Sequence, residues 1–190
     1  MHMEYLEIIG TAIGLIYLYL EYRASVWLWV ASILMPAVYI VVYYEAGLYA
    51  DLGVNVYYLI ASLYGLLCWI KGKDSASDSK PLEISRTPVK VWKYLLLVGA
   101  LLFVAIGFLL QHFTDSTVPW ADSFTTALSI VAMWMLARKY AEQWIIWIAA
   151  DIGCGCLYIY KDLYFTGALY FLYAVIAVFG YRKWLRMMRA

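Results

Sequence analysis

The chain has 190 residues, of which 66% are hydrophobic, 18% aromatic and only 14% charged, with a net charge of +1. Soluble domains carry roughly 45–50% apolar and about 25% charged residues, so that class is excluded. The mean hydropathy of +0.75 names lipid as the solvent, and near-neutral charge excludes a basic footprint for nucleic acid.

Apolar runs bounded by charge and turn residues predict seven transmembrane helices, at about 5–22, 26–44, 52–70, 92–110, 122–137, 143–160 and 164–181. Each crossing takes roughly 20 apolar residues, which leaves no room for an extramembrane domain. The first run follows Met1-His2-Met3-Glu4, with no basic n-region, and carries Tyr17, Tyr19 and Glu21 in place of a small-residue cleavage site. It reads as a mature helix, not a signal peptide. The second bears Trp29, Ser32, Pro36, Tyr39 and Tyr43, with Pro36 expected to kink it at mid-membrane.

The third run has Asp51, Asn55, Tyr58, Ser62 and Trp69 at helical spacing. Gly72 to Val91 is the one long polar stretch and reads as a flexible linker. The fourth run reads as a connector. On the sixth, Trp144, Trp147, Asp151, Cys154 and Tyr158 recur at steps of three and four and share one face. Asp151 falls near the bilayer centre, where an ionised carboxylate costs about 2.5–3.5 kcal/mol and should face a cavity or a partner. Gly153 and Gly155 beside it allow close helix approach or local unwinding. The seventh repeats the polar stripe more weakly with Thr166, Tyr170, Tyr173 and Trp184. Trp69 and Trp184, each beside a basic cluster, are expected to be interfacial anchors.

Basic residues set the expected orientation. With the amino terminus outside, 13 of the 14 basic residues fall on inside segments, and only Lys161 lies outside. The carboxyl terminus is then cytoplasmic.

The two halves also superpose without a gap at an offset of 115. Arg23 meets Arg138, Trp29 meets Trp144, Tyr43 meets Tyr158, Tyr58 meets Tyr173, Gly65 meets Gly180 and Trp69 meets Trp184. The expected fold is therefore all-α and membrane-embedded. Residues 1–71 form one three-helix repeat, 72–91 a cytoplasmic linker, 92–111 the connector helix and 120–190 a second repeat. Two parallel bundles joined this way make a SWEET-like three-plus-one-plus-three layout, with the substrate between the repeats near the midplane.

Stacked aromatic rings and one buried carboxylate suit a flat, cationic, heteroaromatic solute, because each ring face attracts a cation by roughly 0.5–2 kcal/mol. The candidate binding residues are Trp144, Trp147, Asp151, Asn55, Tyr58, Ser62, Tyr173 and Tyr39. No Gly-rich phosphate loop provides for ATP hydrolysis, and no His, Cys and carboxylate spacing resembles a metal site. No nucleophile is paired with an intramembrane histidine, so an intramembrane enzyme is the lesser alternative. A transporter without cofactor, and not an enzyme, is the expected class.

Trp120-Ala-Asp-Ser-Phe124, Leu128-Ser-Ile-Val-Ala-Met133, Ala137-Arg-Lys-Tyr140 and the pair in Trp144-Ile-Ile-Trp147 resemble the PnuC family of vitamin transporters. Gly47-Leu-Tyr-Ala-Asp51, Tyr64-Gly65 and Leu163-Tyr164 agree, and the likeness covers nearly the whole chain. The resemblance implies uncoupled facilitated import of a vitamin across the bacterial inner membrane, with a cytosolic kinase trapping it by phosphorylation. Nicotinamide riboside, a pyridinium cation, is the family's best-known substrate; relatives carry thiamine, and others riboflavin. The departures fall on the proposed stripes. Asn55 and Ser62 stand where nicotinamide riboside members often have Gln and Asn, Leu66 replaces a Trp, and Asp151 replaces an Asn. A carboxylate at 151 would suit the aminopyrimidine and thiazolium of thiamine, so nicotinamide riboside is placed first and thiamine close behind. The partners expected are a small cationic aromatic vitamin and the lipid bilayer, with a homo-oligomer allowed but not required.

Overall fold

The computed structural model describes residues 2–45, 49–71 and 82–189, with side chains throughout except at 2–11, 42–43 and 49–51. Gly47, residues 72–81 of the linker, and the side chains of Tyr43 and Asp51 lie outside the described residues. Seven helices and no strand occur among those described: α1 (His2–Tyr22), α2 (Leu28–Glu45), α3 (Tyr49–Lys71), α4 (Val89–Phe113), α5 (Pro119–Ala137), α6 (Gln143–Tyr160) and α7 (Tyr164–Met187). The all-α membrane fold is the one the apolar runs predict. Stretches of α3 to α7 are long and apolar enough to cross a bilayer, and α1 and α2 contribute the shorter apolar stretches Ala12–Tyr22 and Leu28–Val41. Pro36 is buried inside α2. Helix α4 starts earlier than the run suggests, immediately after Pro88, which holds an extended ψ of 144° at the N-cap. Proline fixes φ and biases the residue before it away from the helical region, so the helix begins there.

The chain folds as two compact units, Met1–Leu82 and Glu83–Ala190. In the first, the fully buried ring of Trp29 on α2 lies directly over Gly65 of α3, leaving no space for a Cβ. Trp69, one turn beyond Gly65, meets Trp29 edge-on, with centroids 5.5 Å apart and planes at 87°. In the second, the ring of Trp144 on α6 covers Gly180 of α7, where a Cβ would come within 2.7 Å of it. Trp184 meets that ring edge-on at 5.8 Å and 87°. Lipid supplies no hydrophobic force between helices, so close packing over a residue without a side chain is what holds each pair. Edge-to-face rings add roughly 0.5–1.5 kcal/mol beyond their buried area.

Trp69 and Trp184 are 3% and 0% exposed. They are therefore not interfacial anchors, as their basic neighbours suggested; each ring is consumed inside its own helix pair.

The same offset of 115 recurs in the backbone. Helices α1 and α5 end at 22 and 137, α2 and α6 run from 28 to 45 and from 143 to 160, and α3 and α7 begin at 49 and 164. The turns between them carry a left-handed residue at 24 and 139, with φ of 49° at Ala24 and 53° at Lys139. Their hydrogen bonds correspond as well. Ala24 N–H donates to the Glu21 carbonyl and Lys139 N–H to that of Leu136, both at 2.9 Å.

One turn carries an addition. Residues 85–87 lie along the α5–α6 turn as a strap: Ser85 N–H donates to the Lys139 carbonyl at 3.1 Å, and Ala141 N–H to the Ser85 carbonyl at 2.9 Å. Glu142 anchors it. Its carboxylate accepts from the backbone N–H and the hydroxyl of Thr87, both at 2.8 Å, and from Arg86 at 3.1 Å. Burial pushes the Glu142 carboxyl up, but these donors outweigh it and hold the group below the ordinary carboxylate range. Arg86 also reaches the Tyr181 hydroxyl at 3.2 Å, so the strap spans the α5–α6 turn and α7.

Helix α4 packs on α5, where Trp120 covers Gly107 and meets Phe103 at 5.5 Å. Its other side exposes Leu97, Leu101 and Leu109, as a lipid-facing surface requires.

Two predictions follow from the packing. Gly65→Ala and Gly180→Ala should each lower stability by roughly 1–3 kcal/mol through overpacking. Gly53→Ala, where a Cβ meets nothing within 4 Å, should not; thermal unfolding in detergent separates the three. Glu142→Gln removes a charge-assisted anchor worth roughly 1.5–3 kcal/mol, and trypsin should cut after Arg86 faster. Because the Glu142 pKa is depressed, its contribution is full above the ordinary glutamate pKa of about 4.3 and is lost as pH falls below it. The melting-temperature gap between parent and variant should accordingly close on acidification.

Candidate functional site

Trp144 sits at the second position of α6 and points at α7, which sets the rotation of the whole helix. Seven residues on, Asp151 returns to nearly the same angle, since seven steps of 100° fall about 20° short of two turns. Asp151 is 8% exposed and makes no hydrogen bond to a described residue. It lies within electrostatic reach of Tyr170 and Tyr173 on α7. One turn before it, Trp147 is half-buried, and its indole N–H is buried without an acceptor among the described residues. An indole N–H without an acceptor thus stands one helical turn from a carboxylate without a hydrogen-bond partner among the described residues; the indoles of Trp29 and Trp144 are buried and unpaired in the same way. Leaving such groups unpaired costs about 1–3 kcal/mol each, more for a charge, unless something else completes them.

The rest of that face is aromatic and close-packed. Tyr158 of α6 stacks on Tyr170 at 5.1 Å and 28°, and the two hydroxyls share a hydrogen bond. Tyr170 in turn meets Tyr173 at 5.6 Å. Cys154 hydrogen-bonds Thr125 on α5. Gly155 and Gly167 bring α6 and α7 together, so the glycines serve close approach, within an unbroken helix. At the end of α6, Lys161 pairs with Asp122 at 2.9 Å, and Ser116 donates to the same carboxylate at 2.7 Å.

In the first unit, Ser62 is fully buried and its hydroxyl lies 2.9 Å from the Ser32 carbonyl, across α2 and α3, and 2.6 Å from that of Tyr58. It holds two helices together. Tyr58 and Asn55 are half-buried on the same helix, and Tyr39 on α2 is 41% exposed. A polar cluster that the apolar pattern did not disclose lies beside them: Tyr17 of α1 hydrogen-bonds both Ser32 and the buried Glu21, within electrostatic reach of Tyr58.

Of the eight candidate residues, the second unit brings Asp151 and Tyr173 together, with Trp147 a turn away. The first holds Asn55, Tyr58 and Tyr39. Trp144 and Ser62 are taken up by packing. No group of three or more metal-ligating side chains occurs among the described residues.

Asp151 also yields a stability test. A carboxylate that no described side chain or backbone group satisfies lowers the stability of the fold, so Asp151→Asn should leave the detergent melting temperature unchanged or raise it. A fall of several degrees would instead make Asp151 a structural residue.

Residues 4–186 match the family model described as nicotinamide mononucleotide transporter. The riboflavin/roseoflavin transporter RibM of Streptomyces davaonensis is 28% identical over 96% of this chain and 85% of its own length. The nicotinamide riboside transporter PnuC of Escherichia coli is 22% identical over 98% of this chain and 87% of its own. Among solved structures, the crystal structure of the vitamin B3 transporter PnuC superposes with a TM-score of 0.69, covering 95% of this chain and 80% of that one at 20% identity.

Proposed function

This chain belongs to the nicotinamide mononucleotide transporter family, the PnuC family of multi-pass membrane transporters, and from that premise we propose that it imports nicotinamide riboside by uncoupled facilitated diffusion. The observation that carries the substrate class is the unsatisfied pair of the Trp147 indole N–H and the Asp151 carboxylate, one turn apart and close to mid-span. A pyridinium riboside fits both: the ring cation balances the carboxylate, and a ribose oxygen accepts from the indole. Tyr173 supplies a ring face beside them. Asn55, Tyr58 and Tyr39 are proposed as further substrate-binding residues from their place on the polar stripes, while Trp144 and Ser62 act by holding their helices in register.

Downhill movement is supported by the lack of any phosphate-binding loop in the sequence. Net uptake then needs a cytosolic kinase to trap the product. The charge asymmetry places the amino terminus outside and the face bearing Arg23, Arg138 and Lys139 in the cytoplasm. On this reading the chain is an internal duplication: residues 1–71 and 120–190 are the repeats, 72–91 the linker and 92–111 the connector.

Two observations favour other vitamins at the same site. The likeness to RibM favours riboflavin, and the carboxylate at 151, where nicotinamide riboside members often carry Asn, favours thiamine.

Purified protein in liposomes, with no ATP and no imposed ion gradient, should equilibrate labelled nicotinamide riboside. Asp151→Asn should weaken its binding by roughly 1.5–3 kcal/mol, about tenfold or more. Exclusive uptake of riboflavin or thiamine would reassign the substrate. Movement of none of the three would refute the transport reading, and a chemically altered product would point to an enzyme.

A further inference from the structure

The Tyr158, Tyr170 and Tyr173 rings do more than fill space between α6 and α7. Helix α6 ends at 160 and α7 begins at 164, so depth can be counted from their shared end. At 1.5 Å per residue, Tyr158 lies about 3 Å below that end, Tyr170 about 9 Å, and Tyr173 and Asp151 both about 13 Å. The bilayer midplane lies about 15 Å down. The three rings are consecutive, with centroid steps of 5.1 Å and 5.6 Å. Each step lies within the roughly 4.5–7 Å range of a direct aromatic contact, and all three residues are only half-buried, so each keeps part of its surface open. At the top, Tyr158 lies within electrostatic reach of the Asp122–Lys161 pair; at the bottom, Tyr173 lies within reach of Asp151.

The first unit lacks this arrangement. The positions 115 earlier than 158, 170 and 173 are Tyr43, Asn55 and Tyr58, so the middle ring is an amide there. The position equivalent to Asp151 is Pro36. Ring ladder and carboxylate therefore occur together, in one unit only.

We propose that Tyr158, Tyr170 and Tyr173 form an access ladder that passes a flat, positively charged heteroaromatic solute from the Lys161 face to Asp151. The inference rests on the transport reading and deepens it. The ladder concentrates cations by their attraction to successive ring faces, and Asp151 ends it with a carboxyl group. An uncharged ring of the same shape gains only stacking from the same three residues, so the ladder selects for charge before the solute reaches mid-membrane.

The test compares labelled nicotinamide riboside with its reduced dihydropyridine form, which has nearly the same shape and no ring charge. Both are supplied at sub-saturating concentration to liposomes carrying the parent protein, Tyr170→Leu, Tyr170→Phe or Tyr158→Leu. Tyr170→Leu should slow uptake of the cation by about fivefold or more, and uptake of the reduced form by about twofold or less. Tyr170→Phe keeps the ring and should stay within about twofold of the parent for both. Tyr158→Leu, near the helix end, should show the same charge selectivity even if Tyr170→Leu folds poorly. Equal losses for the charged and uncharged forms in both leucine variants would make the rings packing residues and overturn the ladder alone. Uptake of uncharged riboflavin alone would overturn the ladder and leave the transport reading standing, whereas failure of the parent to move nicotinamide riboside, thiamine or riboflavin would overturn both.

Discussion

A tryptophan ring seated on a glycine of the neighbouring helix is the contact on which the rest of the molecule depends. In water two apolar helices associate because burial is favourable; in lipid that gain vanishes, and association rests on dispersion at close range. Trp29 on Gly65 and Trp144 on Gly180 provide such range, and Trp69 and Trp184, one turn along from each glycine, meet the rings edge-on. The contact also fixes rotation. Once Trp144 faces α7, Trp147 and Asp151 are carried round with it, and Asp151 comes to rest opposite Tyr170 and Tyr173. A packing interaction at one end of α6 thus aims a carboxylate at mid-membrane.

The strap acts on the same helix from outside. Glu142 precedes Gln143, the first residue of α6, and caps no helical N–H with its side chain. Its carboxylate is spent on Thr87 and Arg86 instead. The α1–α2 turn has the same backbone hydrogen bonds, but Trp27 occupies the corresponding position and is 70% exposed. One turn is therefore tied to the segment entering α4 through the Glu142 carboxylate, to which the exposed Trp27 offers no counterpart. The second unit is braced at the face where α6 starts.

Much of the fold was legible because lipid imposes a simple rule. Every backbone group must be satisfied within its own helix, so apolar run length reads almost directly as structure. The matches Trp29 with Trp144, Gly65 with Gly180 and Trp69 with Trp184 were also visible. Their meaning was harder to read, since a tryptophan beside a basic cluster has the same signature whether it faces headgroups or a glycine. The distinguishing signal was the glycine one turn before each ring, Gly65 before Trp69 and Gly180 before Trp184. The direction of a short side chain was not legible at all. Ser62 looks like a ligand on a polar stripe, yet its hydroxyl turns to the Ser32 carbonyl. The strap was equally hidden, because residues 85–87 have no periodicity and Glu142 looks like any charge at a helix end.

Positions 115 apart divide into those of the tryptophan-on-glycine contact and those outside it. The residues of the contact are identical in both halves, 29 with 144, 65 with 180 and 69 with 184, whereas the other close-approach glycines, Gly155 and Gly167, correspond to Ile40 and Leu52. A ring over a glycine tolerates no added carbon on one side and leaves a cavity if reduced on the other. Where a residue lies on the polar stripe outside that contact, several pairs differ: Ser32 with Trp147, Pro36 with Asp151 and Asn55 with Tyr170. Tyr58 with Tyr173 and Tyr43 with Tyr158 keep a ring in both units. The tryptophan-on-glycine contact constrains both halves alike, because each must close its own helix pair against lipid. Positions outside that contact carry no such constraint, and they are where the two halves have diverged.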